Sequence, residues 1–499
     1  MNKLSQLAAQ ALERDTVDQA IEYEGRWYSW REVRTLANQI TELIDASEAK
    51  TGGPVVFIAR SQAAAVVAFM ALLRSGRTIR MVYAFQSPAG IARDIARLEP
   101  AIVVAAARDF GDEVQAAIRQ QGAAAIVIAE MEAHPLPGFS RSTASLPQDL
   151  PAQPQIEILT SGTTGKPKPF AVRHEMLAQH FAGSTAKIFG GEKEAAEPLP
   201  ALLYYPLGNI SGLFSTIPAL LNGHKLIVLD RFSVQGWRDY IVRYRPVASG
   251  TPAAAVQMIL DADIPREDLV SLRFFSTGAA PLDPRVQRAF EDRYGIPVLL
   301  SYGATEFGGP VTVMAPELYA EFGQSKFGSV GKTFGGAQLR IVDPETGAEL
   351  PAGQEGLIEV ISPKMGPDWI HTSDLGVIDE DGFLFLRGRA DGAIMRGGFK
   401  LLPESIERAL LGHPAISAAA VVGLPDRRLG QIPVAALQLK PGVEKPASAE
   451  LEAYVRDLLL ATHIPVHWLF LDELPKTVSL KVDRPAVISL FQEAFGTTD

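Results

Sequence analysis

The sequence predicts an α/β protein in which a large first part is followed by a small α+β part, and three observations carry that expectation. At 499 residues the chain exceeds what one hydrophobic core usually organises, so two or more domains are expected. The first half repeatedly sets short β-branched runs beside alanine-rich helical ones, the wiring of a buried, parallel-rich sheet. From Gly392 the pattern restarts on a compact scale.

In chain order, strands are expected at Val55 to Ile58, Ile102 to Val104 and Ala125 to Ile128, with helices at Ala63 to Leu73 and around Ile91 to Leu98. The proline- and serine-rich stretch from Pro135 to Pro154 lacks apolar periodicity and reads as a surface connection into a strand beginning at Ile156. Further strands at Lys225 to Leu229, Val298 to Leu300, Leu339 to Val342 and Leu357 to Ile361 extend the large part. In the small part the expected order is a helix at Glu404 to Leu411, strands at Ala419 to Val422 and Val434 to Leu439, a helix at Ala449 to Leu460 and a strand near Trp468 to Leu471. The expected division is 1–390 and 391–499.

Composition narrows the function classes. Hydrophobic residues at 47% and charged residues at 21% are those of an ordinary globular chain. A formal net charge of -10 opposes general attraction to nucleic acid or to an anionic membrane surface, so neither is an expected partner. The first residues soon reach Glu13, Arg14 and Asp15, unlike a secretory signal, and apolar runs such as Ala63 to Leu73 fall short of the roughly 20 residues that span a bilayer. A cytoplasmic location is the expectation. With no cysteine, disulfides, thiolate metal sites and cysteine nucleophiles are excluded. His463 and His467 are spaced i,i+4, but Pro465 between them breaks the helix that would align them on a zinc ion.

Four segments carry chemistry. Thr160-Ser161-Gly162-Thr163-Thr164-Gly165-Lys166-Pro167-Lys168 follows a strand; its glycines let backbone approach a phosphate, its hydroxyls and amides donate hydrogen bonds and its lysines supply charge. It is not a Walker loop, because Pro167 follows Lys166 and the upstream glycine is missing. A plain polar loop is the bland alternative. Ser301-Tyr302-Gly303-Ala304-Thr305-Glu306 follows the apolar run Pro297 to Leu300, where open α/β sheets bind ligands and where Glu306 suits a magnesium ion; the alternative is a helix start. His371-Thr372-Ser373-Asp374 with Gly388-Arg389-Ala390-Asp391 precedes the small part, and Pro475-Lys476-Thr477-Val478-Ser479-Leu480-Lys481 lies near the end; each alone reads as solvated surface.

Together, in this order and spacing, the four segments resemble the adenylate-forming superfamily of acyl-CoA synthetases, nonribosomal-peptide adenylation domains and firefly luciferase. Thr160 to Lys168 resembles its phosphate loop, Tyr302 to Glu306 its Tyr-Gly-x-Thr-Glu motif, and Gly388 to Glu407 its hinge with the trailing Gly-x-x-x-x-Pro-x-x-Ile-Glu pattern. Ser276 to Leu282 is similar to the adenine-binding segment, Thr251-Pro252 to a Thr-Pro step, and Lys481 aligns with the catalytic lysine.

The resemblance implies a large N-terminal adenylate-forming domain with a small mobile C-terminal domain. It implies ATP held by Thr160, Ser161, Gly162, Thr163, Thr164, Gly165 and Lys168 at its phosphates, by Gly278, Ala279, Ala280, Tyr302 and Gly303, and by Asp374 with Arg389 at the ribose. Thr305 lies by the α-phosphate, Glu306 binds magnesium and Lys481 bridges carboxylate and phosphate. The small domain swings about Asp391 and brings the Gly398 region to the thiol of coenzyme A. Tyr205, Asn209 and Gly303 belong to the acid pocket, whose neighbours suggest an apolar or aromatic small-molecule carboxylic acid.

Departures from the family pattern are Ser373 and Leu480 in place of glycines, Met395 at a commonly charged position, Asn209 in place of an aromatic or histidine gate, and Val82-Tyr83-Ala84-Phe85 in place of a Pro-Leu-Asn-Pro-like stretch. The expected activity is an acyl-CoA synthetase. The alternatives are a stand-alone adenylation enzyme that loads the phosphopantetheine of an acyl-carrier protein, and a silent nucleotide-binding protein that kept the fold.

Overall fold

The computed structural model describes residues 2–160, 168–181, 199–278, 282, 284–390, 392–475 and 482–495. Two compact units emerge, one reaching to Tyr244 and the other beginning at Arg245.

In the first unit the strands are β1 (Gln19–Tyr23), β2 (Arg26–Ser29), β3 (Val55–Ala59), β4 (Ile79–Tyr83), β5 (Ile102–Ala106), β6 (Ala124–Ala129), β7 (Glu132–Pro135), β8 (Gln155–Thr160), β9 (Lys168–Arg173), β10 (Ala201–Leu203) and β11 (Leu226–Val228). Seven of them form one sheet in the order β7-β6-β5-β3-β4-β8-β9, parallel in the middle with an antiparallel strand at each edge. β3 is buried at every position, as a strand covered on both faces requires. The helix Ala63–Ser75 is apolar on nearly all sides, so it is sunk into the core, where Phe69 stacks on Phe57 of β3 at 6.3 Å.

The helix Trp30–Ala46 shows how local sequence sets an end: Ser29 accepts from the Glu32 amide, and the Glu32 carboxylate accepts from the Ser29 amide. Between β4 and β8, Arg80 and Glu157 are register partners and form a buried ion pair at 2.8 Å. A second sheet, β10-β11-β1-β2, completes the unit.

The second unit contains β12 (Ala248–Pro252), β13 (Phe274–Gly278), β14 (Val298–Ala304), β15 (Gly309–Val313), β16 (Lys332–Thr333), β17 (Gln338–Val342), β18 (Glu355–Ile361), β19 (Ile370–Ile378) and β20 (Leu384–Arg389). β12, β13 and β14 are parallel neighbours, β15 and β16 add antiparallel, and β17 to β20 form an antiparallel meander.

Its last segment holds β21 (Ile394–Arg396), β22 (Phe399–Leu401), β23 (Ile416–Asp426), β24 (Gly430–Leu439) and β25 (His467–Phe470). Helices Pro403–Leu411 and Ser448–Leu458 bury Ile406, Leu410, Leu451 and Val455 against this sheet, and the helix Arg484–Phe495 contributes Val487 and Phe491 to a separate apolar cluster. The α/β expectation holds. β23 runs well beyond the expected Ala419 to Val422 because pairing with β24 overrides the weak strand preference of its alanines, Gly423 and Pro425.

Candidate active site

Parallel register brings three expected segments to one edge of the second unit. Thr251 pairs with Thr277 and Pro252 with Gly278, while Thr277 pairs with Leu300, so the carboxyl ends of β12, β13 and β14 lie side by side. This is the edge where open α/β sheets take ligands. The buried Thr277 hydroxyl donates to Thr251 O at 2.9 Å and ties the ends together.

A Cβ would be crowded at two candidate positions, against a side-chain hydroxyl that can turn aside at Gly278 and against backbone that cannot at Gly303. A Cβ on Gly278 would sit 2.4 Å from Ser301 Oγ, and one on Gly303 would sit 2.5 Å from Gly309 O.

Past Ala304 the chain makes a single 3₁₀ turn, Thr305–Phe307, that leaves Glu306 exposed and buries Phe307. The Phe307 ring lies 5.7 Å from that of Tyr302. Tyr302 Oη donates to Asp374 Oδ2 at 2.7 Å, joining the end of β14 to β19. Asp374 N–H donates to Thr372 Oγ1 at 3.0 Å, Thr372 Oγ1 donates to Ile358 O at 2.7 Å, and Asp374 is the register partner of Arg389 on β20. Tyr302, Gly303, Thr305, Glu306 and Asp374 are thus gathered in one neighbourhood. The neighbouring Ser373 carbonyl accepts from Ala390 N–H at 2.7 Å.

Elsewhere in this unit, Gly398 occupies the turn between β21 and β22, and the preceding Gly397 N–H donates to Leu429 O at 2.7 Å. The Arg396 guanidinium donates to Thr462 O at 2.6 Å and to Ile464 O at 3.2 Å. His463 closes a 3₁₀ turn and His467 opens β25; burial, then the charge of Arg396, lowers His463 to about 4.

In the first unit, Thr160 and Lys168 pair across β8 and β9. Tyr205 packs on Tyr204 with ring centroids 4.6 Å apart, Tyr204 meets Phe232 edge-on at 5.7 Å, and burial raises both phenols. Asn209 caps the helix Ile210–Asn222, its Oδ1 accepting from Gly212 N–H at 2.7 Å. The unusual Tyr83-Ala84-Phe85 stretch also gains a physical account. Guanidinium groups of Arg231 and Arg60 lie over the Phe85 ring at 4.2 and 5.7 Å, Tyr83 meets it edge-on at 5.5 Å, and Arg60 is itself held by the buried Asp109 carboxylate at 2.8 Å. Ser161, Gly162, Thr163, Thr164, Gly165, Ala279, Ala280, Asp391 and Lys481 lie outside the described residues.

The AMP-binding enzyme family matches residues 7–367, and the AMP-binding enzyme C-terminal domain matches residues 405–481. The chain belongs to the AMP-binding enzyme family. It is an adenylate-forming enzyme, most like the acyl- and aryl-CoA synthetases. It is 29% identical over 496 residues to 4-coumarate–CoA ligase-like 9 of Oryza sativa subsp. japonica, covering 92% of this chain and 87% of that one. To sulfoacetate–CoA ligase of Cupriavidus necator it is 30% identical over 367 residues, 70% of this chain and 69% of that one. Its fold is that of an amide bond synthetase from Marinactinospora thermotolerans, with a TM-score of 0.80, 23% identity, and coverage of 97% of this chain and 99% of that chain.

Two groups around the site of this AMP-binding enzyme escape a reading of the sequence. Arg340 on β17 donates to the buried Glu359 of β18 through Nε at 2.7 Å, and His371 Nδ1 meets the other carboxylate oxygen. Burial alone would raise Glu359, but the hydrogen bonds from Arg340 and His371 outweigh it and hold the carboxylate below its ordinary range. This braces β19 three residues before Asp374. The second group is Ser362 and Lys364, just past β18: Ser362 Oγ donates to Phe307 O at 2.6 Å and Lys364 Nζ to Gly308 O at 3.2 Å. Burial lowers the Lys364 ammonium to about 8. Charged residues inside otherwise apolar strand runs, such as Arg340 and Glu359, were the available signal.

Proposed function

We propose that this enzyme joins a carboxylic acid to coenzyme A in two steps through an acyl-adenylate. The observation that carries the reading is the Tyr302–Asp374 hydrogen bond beside Thr305 and Glu306, in a chain matched along most of its length by the AMP-binding family. The names of its relatives as CoA ligases support the thiol acceptor.

In the first step a carboxylate oxygen attacks the α-phosphorus of ATP, the bond to the bridging oxygen of the β-phosphate breaks, and pyrophosphate leaves. Anions converge, so the protein must contribute positioning and charge neutralisation. Asp374 and Arg389 take the ribose hydroxyls, with Tyr302 fixing the carboxylate. The segment from Thr160 to Lys168 holds the outer phosphates, Thr305 faces the α-phosphate and Lys481 bridges the two reactants, a compact charge suited to a moving contact.

Glu306 would hold a magnesium ion, which when bound neutralises phosphate charge. An exposed carboxylate at the end of β14 fits it, because magnesium is commonly held by one or two carboxylates together with substrate phosphates. In the second step the thiol sulfur attacks the acyl carbon, AMP departs and the thiol proton passes to solvent. The small domain, 391–499, swings about Asp391 relative to 1–390 to exchange Lys481 for the Gly398 turn, a reading supported by the separate family matches that end at 367 and begin at 405.

The acid is apolar or aromatic, a reading supported by the Tyr204, Tyr205 and Phe232 cluster in the first unit. The test is acid-dependent exchange of pyrophosphate into ATP with 4-coumarate, 2-succinylbenzoate, sulfoacetate and a set of fatty and alicyclic acids, for wild type and Lys481→Ala. Exchange with one apolar or aromatic acid, lost in the variant, and AMP release that requires CoA are expected. Exchange without CoA turnover would transfer the acceptor to a carrier protein, and no exchange with any acid would overturn the reading.

A further inference from the structure

The turn Thr305–Phe307 has little to fix it from within: one N–H, that of Gly308, donates back to Thr305 O at 3.0 Å. It carries the two side chains given the most exacting roles above. Two carbonyls at its far end, those of Phe307 and Gly308, point to partners some fifty residues on in sequence, Ser362 and Lys364.

That partner segment is itself ordered. It leaves β18 and closes on Ser362 O, which accepts from Met365 N–H at 2.8 Å and Gly366 N–H at 3.1 Å. The Ser362 hydroxyl is buried with its acceptor, and the Lys364 stem and Met365 sulfur lie against Gly308. A hydroxyl and an ammonium thus grip successive carbonyls, and a hydrogen bond from a charged donor is among the stronger ones.

We propose that Ser362 and Lys364 are positioning residues for adenylation: they hold the carbonyl end of the turn so that Thr305 and Glu306 keep their places at the nucleotide. The assignment of Thr305 and Glu306 rests on the function proposed above; the grip on the turn does not. It predicts a local effect. Losing the clasp frees the turn, whereas β14 stays paired to β15 through Ser301–Val313 and Tyr302–Thr312.

Hydrogen–deuterium exchange on the full chain, comparing wild type with Lys364→Met, Lys364→Arg and Ser362→Ala, reads the grip without any activity. Amides of 305–309 should exchange about tenfold faster in Lys364→Met and Ser362→Ala, the size expected for one lost hydrogen bond, with protection largely restored in Lys364→Arg and β12 and β24 unchanged. Unaltered exchange across 305–309, or equal loosening everywhere, would overturn the proposal. The same variants are then titrated with magnesium in the pyrophosphate exchange assay. The apparent KM for magnesium should rise about tenfold in Lys364→Met with a smaller change in kcat, and recover in Lys364→Arg; a wild-type magnesium dependence in a variant whose turn has loosened would overturn the positioning role. A wild type that exchanges with no acid sinks the functional reading, and the grip is then judged on deuterium exchange alone.

Discussion

The hydroxyl of Tyr302 and the carboxylate of Asp374 meet at 2.7 Å although 72 residues separate them, and the bond ties the end of a mixed parallel sheet to an antiparallel meander. Each residue belongs to a different sequence motif. The contact gives the two motifs a shared geometry: the phenol occupies one oxygen of the carboxylate and fixes how the other is presented.

Replacing Tyr302 with Phe removes that donor while keeping the ring against Phe307. The apparent KM for ATP should rise roughly tenfold, with a loss of folding stability of about 1 kcal/mol. ATP titration in the exchange assay and a denaturant melt check it; an unchanged KM would show that Asp374 needs no such restraint.

Glu306→Gln keeps shape and removes charge at an exposed position. The expected outcome is a magnesium requirement shifted to higher concentration by at least about tenfold, with thermal stability unaltered because the side chain is not packed. A magnesium titration of wild type and variant decides it, and identical curves would place the ion elsewhere.

Gly303→Ala places a methyl 2.5 Å from Gly309 O and 2.6 Å from Pro310 Cα. Backbone atoms on a paired strand yield poorly, so a cost of about 2–3 kcal/mol is expected, read as a lowered denaturation midpoint. Ala304→Gly, one position on, serves as the comparison and should cost far less.

Stability should fall in mild acid. Burial lowers His174 and His463 from an ordinary 6.5 to about 4, so both are neutral in the folded chain at pH 6. Between those values the unfolded chain binds protons that the folded chain does not. Stability is therefore full above about pH 6.5 and is lost as pH drops toward 4, by at most roughly 3 kcal/mol per imidazole. Melting curves from pH 7.5 down to 4.5 should show the fall, and His174→Gln should flatten it.

Much of this was legible in the sequence. The segment Val298 to Leu300 announced a buried strand, and Tyr302-Gly303-Ala304-Thr305-Glu306 marked its carboxyl end, because strand burial and glycine at close approach leave local traces. What was not legible depends on partners distant in the chain. Arg340, Glu359 and His371 come together only once β17, β18 and β19 are in register, and the contact of Lys364 with Gly308 needs a fold before it exists. Asn209 is a different case. Its place in the family pattern suggests a gate, yet Asn209 ahead of the apolar run Ile210 to Leu221 is also a helix-start pattern, and capping is the use the fold makes of its oxygen.

The ion pair between Arg80 and Glu157 bears on the loop after Thr160. Strands with apolar side chains throughout can slide past one another at modest cost, since one aliphatic group replaces another. A one-residue slip of β8 against β4 would instead part a buried cation from its buried anion, a penalty of several kcal/mol. The starting point of the loop is thereby locked by charge, as a key locks a shaft, three residues upstream of Thr160.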